Sequence, residues 1–300
     1  MVLSRLQDLE PKVGLSRGKR LGLVSAEDPD ALSAVMSAYQ KGMIEPVLIG
    51  NETRIRQVAE TLSISLDGIT IHGCSDYYQA AQQAVERVGT GEIQALMKGA
   101  LSTSIYLKPI LHKDNKLVST LLNHLSIFEV PGYPKLLMAT DAALNIKPSL
   151  QEKLSIIENT RQACRRLGYE QPRFAYVCAV EKVNPGKMPE TEEAAVLAQM
   201  AARRQLGDLI FDGPLALDNA ISPRSLEIKK ISSPVAGQAD VILVPEIIAG
   251  NILYKSLVYL ARAQVAGVIV GARVPIVLTS RADDDWSKYY SILLALVLAE

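Results

Sequence analysis

At 300 residues and 32.6 kDa, with 48% hydrophobic residues and a mean hydropathy of +0.14, the chain is long enough to bury one large core or two ordinary ones. Disorder and a fibrous repeat are excluded. Lys plus Arg at 32 balance Asp plus Glu at 32, so the formal charge is zero and no global field draws the protein to nucleic acid or an anionic membrane; any anion is bound by a local site.

Short β-branched runs alternate with longer helical patterns, as in α/β units on a mainly parallel sheet. Residues 20–25 (RLGLVS) read as a strand, 29–41 as a helix, and 45–49 as the next strand, closed by Gly50-Asn51. A helix near 54–62, a strand at 69–72, a helix at 78–88 and a strand at 95–97 follow, the last running into Lys98-Gly99 and a Ser/Thr-rich turn. The pattern restarts after residue 114 with strands at 117–127 and 136–140, a helix at 150–167, a strand at 173–180 and a helix at 191–205. Strands at 209–212 and 241–244, a long helix at 252–263, strands at 267–270 and 275–280, and a helix from about 287 complete it. That is more than one sheet of the usual five or six strands holds. Two α/β domains with mainly parallel sheets are expected, one discontinuous over 1–114 plus 268–300 and one over 115–267, with a ligand cleft between them.

The cysteines Cys74, Cys164 and Cys178 are odd in number and lack C-x-x-C spacing, which argues for a reducing cytoplasm. With His72, His112 and His124 widely spaced, no transition-metal site is expected. The first twenty residues have no signal-peptide pattern, and no apolar run reaches the roughly 18 to 20 residues of a membrane span, so a soluble cytoplasmic protein is expected. Neither G-x-x-x-x-G-K-[ST] nor G-x-G-x-x-G is present, which removes the main support for nucleotide hydrolysis and ordinary dinucleotide binding.

What remains is a set of polar clusters, each after a strand, where open α/β sheets bind ligands. In TSRADDDWSK, residues 279–288, Arg281 offers a bidentate clamp for an anion, Ser280 a hydrogen-bond donor, and Asp283 to Asp285 a general base; the same aspartates also suit a helix cap. In MKGALSTSIYLKPIL, residues 97–111, Lys98, Ser102, Thr103, Ser104 and Lys108 make a phosphate cradle or simply a capped turn. FDGPLALDNAIS, residues 211–222, holds Asp212 and Asp218, with Asp212-Gly213 reading as a turn. VPEIIAGNILYKSLVY, residues 244–259, sets Gly250-Asn251 before a helix carrying Tyr254 and Lys255. The histidines read as structural or surface residues, and aromatic residues at 5% give thin evidence for a stacking platform.

Taken in order, VSAEDPDAL, EPVLIGN, MKGALSTS, KLLMATDAALNIKPSL, AVEKVNP, DGPLALDNAIS, VPEIIAGNILYKSLVY, AGVIVGARVPIVLTSRAD and SKYYSILLA resemble the phosphate acetyltransferase and phosphate butyryltransferase family, the butyryl branch most closely. The resemblance covers nearly the whole chain. It implies the two-domain fold shared with the isocitrate and isopropylmalate dehydrogenases, and exchange of a short acyl group, butyryl or branched, between coenzyme A and inorganic phosphate. Coenzyme A is then a substrate, acyl-CoA, phosphate and acyl phosphate are the partners, and no tightly bound cofactor and no metal are required. A homodimer or higher homo-oligomer is implied as well. By resemblance Ser280 contacts the reacting carbonyl and Arg281 binds phosphate. Ser102, Thr103 and Lys108 match a segment in which the family usually has arginine as the phosphate ligand; lysine keeps the charge and loses the fork. The acetyl branch places its aspartate seven residues after the serine, here Ser287, whereas SRAD makes Asp283 the base candidate, with Asp284 and Asp285 as rivals. Asn251, Tyr254, Lys255 and Lys98 are carried as binding residues. The alternatives are a phosphate acetyltransferase acting on acetyl-CoA and a non-catalytic sensor of coenzyme A or acyl phosphate; a dehydrogenase of the same fold, needing a nicotinamide and a divalent metal, is disfavoured because no clustered acidic metal ligands with histidines stand out.

Overall fold

A computed structural model of the chain describes residues 3–14, 18–278 and 284–299. It divides into two compact units, an N-terminal unit of Leu6–Leu122 with Val265–Glu300 and a central unit of Asn123–Gln264 with Met1–Arg5.

The N-terminal unit is built from βα repeats whose boundaries are set by capping side chains. After a short helix α1 (Leu9–Gly14), β1 (Arg20–Val24) leads to α2 (Pro29–Gln40), where Asp28 accepts from the Ala31 amide and proline takes the first turn. β2 (Glu45–Gly50) leads to α3 (Glu52–Thr61), capped by Asn51, and β3 (Thr70–Gly73) to α4 (Tyr77–Gly89), capped by Asp76. Each such cap stabilises its helix by about 1 kcal/mol. β4 (Ala95–Lys98) runs into α5 (Thr103–Ile110), a helix where the sequence reads as a turn. Ser102 caps it, and its buried Tyr106, Leu107 and Ile110 hold it against the core despite Pro109 in the last turn. β10 (Gln264–Ala272), β11 (Ile276–Val277) and α11 (Asp285–Leu298) return to complete the unit.

The strand order is β3-β2-β1-β4-β11-β10, parallel except for the β10–β11 pair. α11 is apolar on nearly every face and packs against α1, α2, β4 and β11. Lys19 donates to the Leu296 and Ala299 carbonyls at 3.0 and 2.8 Å and closes its carboxyl end, while Lys41 sits 4.0 Å over the Tyr289 ring.

In the central unit β5 (Val118–Glu129) pairs antiparallel with β6 (Leu137–Thr140); α6 (Leu150–Arg166) follows, opened by a Ser149–Glu152 capping box. Next come β7 (Arg173–Val177), α7 (Pro189–Ala202), β8 (Ile210–Leu215), α8 (Leu217–Ile221), α9 (Pro223–Lys229), β9 (Val241–Leu243) and α10 (Ile247–Lys255), in strand order β5-β6-β9-β7-β8.

Two local expectations need correction here. Asp212-Gly213-Pro214 is not a turn but lies inside β8, an edge strand, where a proline costs no ladder bond. The helix expected over 252–263 starts at Ile247 and gives way to one wide π-turn over Ser256–Leu260. Gly250, which reads as the boundary, is interior because α10 lies on backbone: a Cβ there would come within 2.7 Å of Ala142 Cα and the Asp141 carbonyl. Among the described residues no helix is long and apolar enough to cross a membrane.

Candidate functional site

In the N-terminal unit the chain passes from β1 outward through β2 and β3, then returns to place β4 on the other side of β1. This is a topological switch point, and the turns after β1 and β4 flank the crevice where such sheets take ligands. The two turns are stitched together: Gly99 N donates to the Val24 carbonyl at 2.8 Å and Ala100 N to the Ser25 carbonyl at 2.9 Å. Ser25 is fully buried with φ of 59°, an uncommon backbone state for a residue with a side chain. A Cβ on Gly99 would overlap the Ser25 carbonyl, so only glycine lets the strands end side by side. Gly99→Ala is expected to destabilise the protein by about 3 kcal/mol, read from the denaturant midpoint, because the obstructing atoms are backbone and have nowhere to move. Gly89→Ala, at an open helical position, is the control and is expected to be neutral or stabilising. Equal midpoints for the two variants would refute the argument.

Along the β4–α5 turn, Lys98 Nζ donates to the Gly99 and Leu101 carbonyls, both at 3.1 Å, and so holds the turn's shape. Ser102, Thr103 and Ser104 are exposed at the start of α5, with Ser102 Oγ 3.1 Å from Ser104 Oγ and accepting from Ile105 N. Lys108 is exposed in the last turn of α5, its Nζ 5.3 Å from the Tyr78 ring centroid. The predicted cluster is thus a hydroxyl-rich helix start with one ammonium tied to the turn and one held over an aromatic ring. β11 lies beside β4 in parallel register, Ile276 opposite Leu96 and Val277 opposite Met97.

Ser280, Arg281 and Asp283 lie outside the described residues. Their flanks are described. Asp284 is the N-cap of α11, accepting from the Ser287 amide at 2.7 Å, and Asp285 is the first helical residue. The capping role read for this acidic run therefore falls to Asp284.

In the central unit, Asp141 follows β6 and accepts from the Ala143, Leu144 and Asn145 amides at 2.9 to 3.2 Å. His124 is buried facing this carboxylate; burial lowers its pKa against the pull of Asp141, and it lies 3.2 Å from Ser126 Oγ. Tyr254 packs edge-on against Phe128 at 5.5 Å and lies 6.3 Å from the His124 ring. Asn251 and Lys255 are exposed one turn apart on the same helix. α10 also borders an apolar cavity of about 470 Å³ lined by Val177, Leu217, Val244, Ile252 and Leu253. Asp218 and Glu181 both pair with Lys229, at 3.0 and 2.6 Å, and Lys229 is the first cause holding each carboxyl below its usual range.

Burial pushes the Cys74 thiol up to about 11 and Cys178 up to about 12, and raises Cys164 further, so all three are neutral thiols rather than nucleophiles. Among the described residues no group of three His, Cys, Asp or Glu side chains is placed to hold a metal ion. The sequence reading missed Glu27, Arg54 and Tyr77, which line two adjoining cavities beside the switch point. The signals for them in the sequence are the VSAEDPDAL segment and the tyrosine pair after β3.

Residues 75–296 match the sequence profile of the family described as phosphate acetyl/butaryl transferase. The chain belongs to the phosphate acetyltransferase and phosphate butyryltransferase family, and is a transferase. Family members similar over nearly the full length include a probable phosphate butyryltransferase of Bacillus subtilis, 42% identical over 99% of this chain and 98% of the relative. A phosphate acetyltransferase of Thermotoga maritima is 41% identical over 97% and 99%. Among solved structures, a branched-chain phosphotransacylase from Enterococcus faecalis matches with a TM-score of 0.83 and 33% identity, covering 93% of this chain and 98% of that one. The family expected from the ordered motifs is thus the family found, and its fold is the mostly parallel α/β architecture described above.

Proposed function

We propose that the protein moves a short acyl group between coenzyme A and inorganic phosphate, with butyryl or branched chains preferred to acetyl. Near-complete alignment with a probable butyryltransferase carries the reading, and the branched-chain phosphotransacylase, matched over 93% of this chain, supports the chain preference. In the thioester-forming direction Asp283 takes the thiol proton, and the thiolate attacks the acyl-phosphate carbonyl. Ser280 donates to the developing oxyanion and Arg281, with Lys108, holds the phosphate. The sulfur–carbon bond forms, the carbon–oxygen bond to phosphate breaks, and the proton leaves with phosphate. Coenzyme A is a substrate and no resident cofactor takes part. The protein acts in the cytoplasm as a homodimer or higher homo-oligomer; the exposed Ile248, Ile252, Tyr259 and Leu260 along α10 and its following turn support self-association.

Phosphate-dependent release of free thiol from acetyl-, butyryl- and isobutyryl-CoA, with no metal added, tests this reading. The expected result is turnover with butyryl- or isobutyryl-CoA above acetyl-CoA. Acetyl-CoA ahead of both would move the protein to the acetyl branch. No turnover, in folded protein that binds coenzyme A, would leave the sensor reading.

A further inference from the structure

We propose that His124, in the central unit, is a further substrate-binding residue: its Nε2 hydrogen-bonds an uncharged carbonyl or amide group of the thioester substrate. The inference rests on the acyltransferase reading and adds to it a residue with no part in the proton and phosphate steps.

β6, β9 and β7 run parallel and end at one edge of the central sheet, the edge at which open α/β sheets bind ligands. β5 runs the other way beside β6. Its register, with Ser126 opposite Ala139, carries on to set His124 opposite Asp141, the first residue past β6. α10 starts at the same edge after β9, and Gly250 lets it lie on the backbone of Asp141 and Ala142. Strand, turn and helix therefore place one imidazole at the ligand-binding edge, with the Tyr254 ring 6.3 Å away.

The ring is held in place through one nitrogen, Nδ1, 3.2 Å from Ser126 Oγ. The polar groups around it satisfy one another. Asn123 Nδ2 donates to Thr140 Oγ1 and Thr160 Oγ1 at 2.9 and 3.2 Å, and Asn159 Nδ2 donates to Asn123 Oδ1 at 2.9 Å. Asp141 takes two donors on each carboxylate oxygen, the fourth from the Asn145 side chain at 2.6 Å, which fills its acceptor capacity. His124 Nε2 is the exception. It makes no hydrogen bond among the described residues, in a residue only 7% exposed, yet it is not sealed from solvent. A polar atom this nearly buried costs free energy until a partner meets it.

The surroundings select the partner. Burial outweighs the pull of Asp141 and lowers the pKa of the ring, so the imidazole is neutral and presents at Nε2 one donor or one acceptor, according to tautomer. The Asp141 carboxylate beside it repels a phosphate or a carboxylate. An uncharged carbonyl or amide fits both conditions. In the reaction such groups are the acyl carbonyl and the amides of the arm that carries the coenzyme A thiol.

Two substitutions separate the nitrogens of the ring. Glutamine sets its amide near the place of Nε2, and asparagine near that of Nδ1. With butyryl phosphate as donor, His124→Asn is expected to lower kcat/KM for coenzyme A about tenfold or more. His124→Gln is expected to stay within about threefold of wild type. The reverse order, or equal values in the two variants, gives the ring a purely structural role through Ser126 and overturns the proposal. An arm amide as partner leaves kcat/KM for butyryl phosphate unchanged in His124→Asn, whereas the acyl carbonyl lowers it as well. A second measurement needs no change at His124. The chain has three histidines, so the His124 ring signals in the proton NMR spectrum are assigned by elimination with His72→Gln and His112→Gln. They are expected to shift on adding coenzyme A if the arm is the partner, or butyryl phosphate if the carbonyl is. A shift with neither overturns the proposal, whatever the variants do. If wild-type protein turns over no acyl-CoA, the acyltransferase reading fails, and the same titration with coenzyme A decides the contact: a shift retains it and no shift removes it.

Discussion

Asp283→Asn is expected to lower kcat by roughly a hundred- to ten-thousandfold while KM for both substrates moves little. Asparagine keeps the shape and the hydrogen-bonding oxygen of the side chain but cannot take a proton. A free thiol has a pKa of about 8.5 and only the thiolate attacks a carbonyl at a useful rate. The variant therefore depends on thiolate supplied by the solvent, and its residual rate is expected to rise with pH toward that value, where the wild-type profile is already flat. This slope distinguishes a lost base from a displaced helix. Asp284 is the natural comparison because its carboxylate caps α11, with Oδ1 2.7 Å from the Ser287 amide. An asparagine there still offers an oxygen to that amide, so Asp284→Asn is expected to stay within a few-fold of wild type. Loss of turnover in Asp284→Asn or Asp285→Asn, with Asp283→Asn active, would move the base to the residue that fails.

Where an element's limits are written in local chemistry, the sequence carries them. The β1–α2–β2 unit is read within a residue at its boundaries, with Asp28 as a capping residue directly before an apolar-periodic run, whereas α3 begins two residues ahead of its expected start, at the residue after its cap Asn51. Elements decided by distant packing are not legible in this way. Nothing in STSIYLKPI favours a helix over a turn until Tyr106 and Ile110 find the core, and Gly250 reads as a boundary until Ala142 lies against it. The switch-point cluster is visible because Lys98, Ser102 and Thr103 fall within one short stretch of sequence. Glu27, Arg54 and Tyr77 are invisible as a group. They come from three successive βα units, and each alone looks like an ordinary residue at or near a helix start. Only the parallel order β3-β2-β1 brings those three turns to one edge.

Arg281→Ala is expected to raise KM for phosphate by roughly thirty- to a thousandfold, the equivalent of about 2 to 4 kcal/mol, as truncating one partner of a desolvated charge pair does. KM for coenzyme A should change by a few-fold at most, and an equal rise in both would remove the phosphate role. Arg281→Lys separates charge from geometry: an ammonium restores the Coulomb attraction but not two parallel donors, so part of the loss should persist. Lys108 enters the same argument from α5. Its ammonium is positioned over the Tyr78 ring, as a point charge rather than a fork. If Lys108 and Arg281 hold one phosphate, Lys108→Ala and Arg281→Ala are not independent. Once either cation is gone the anion shifts toward the other, and the two losses fail to add. A double-mutant cycle on KM for phosphate measures that coupling. Strict additivity would place Lys108 on a different phosphate, such as one of those in coenzyme A, and would leave Arg281 as the principal anchor for the phosphate that accepts or releases the acyl group.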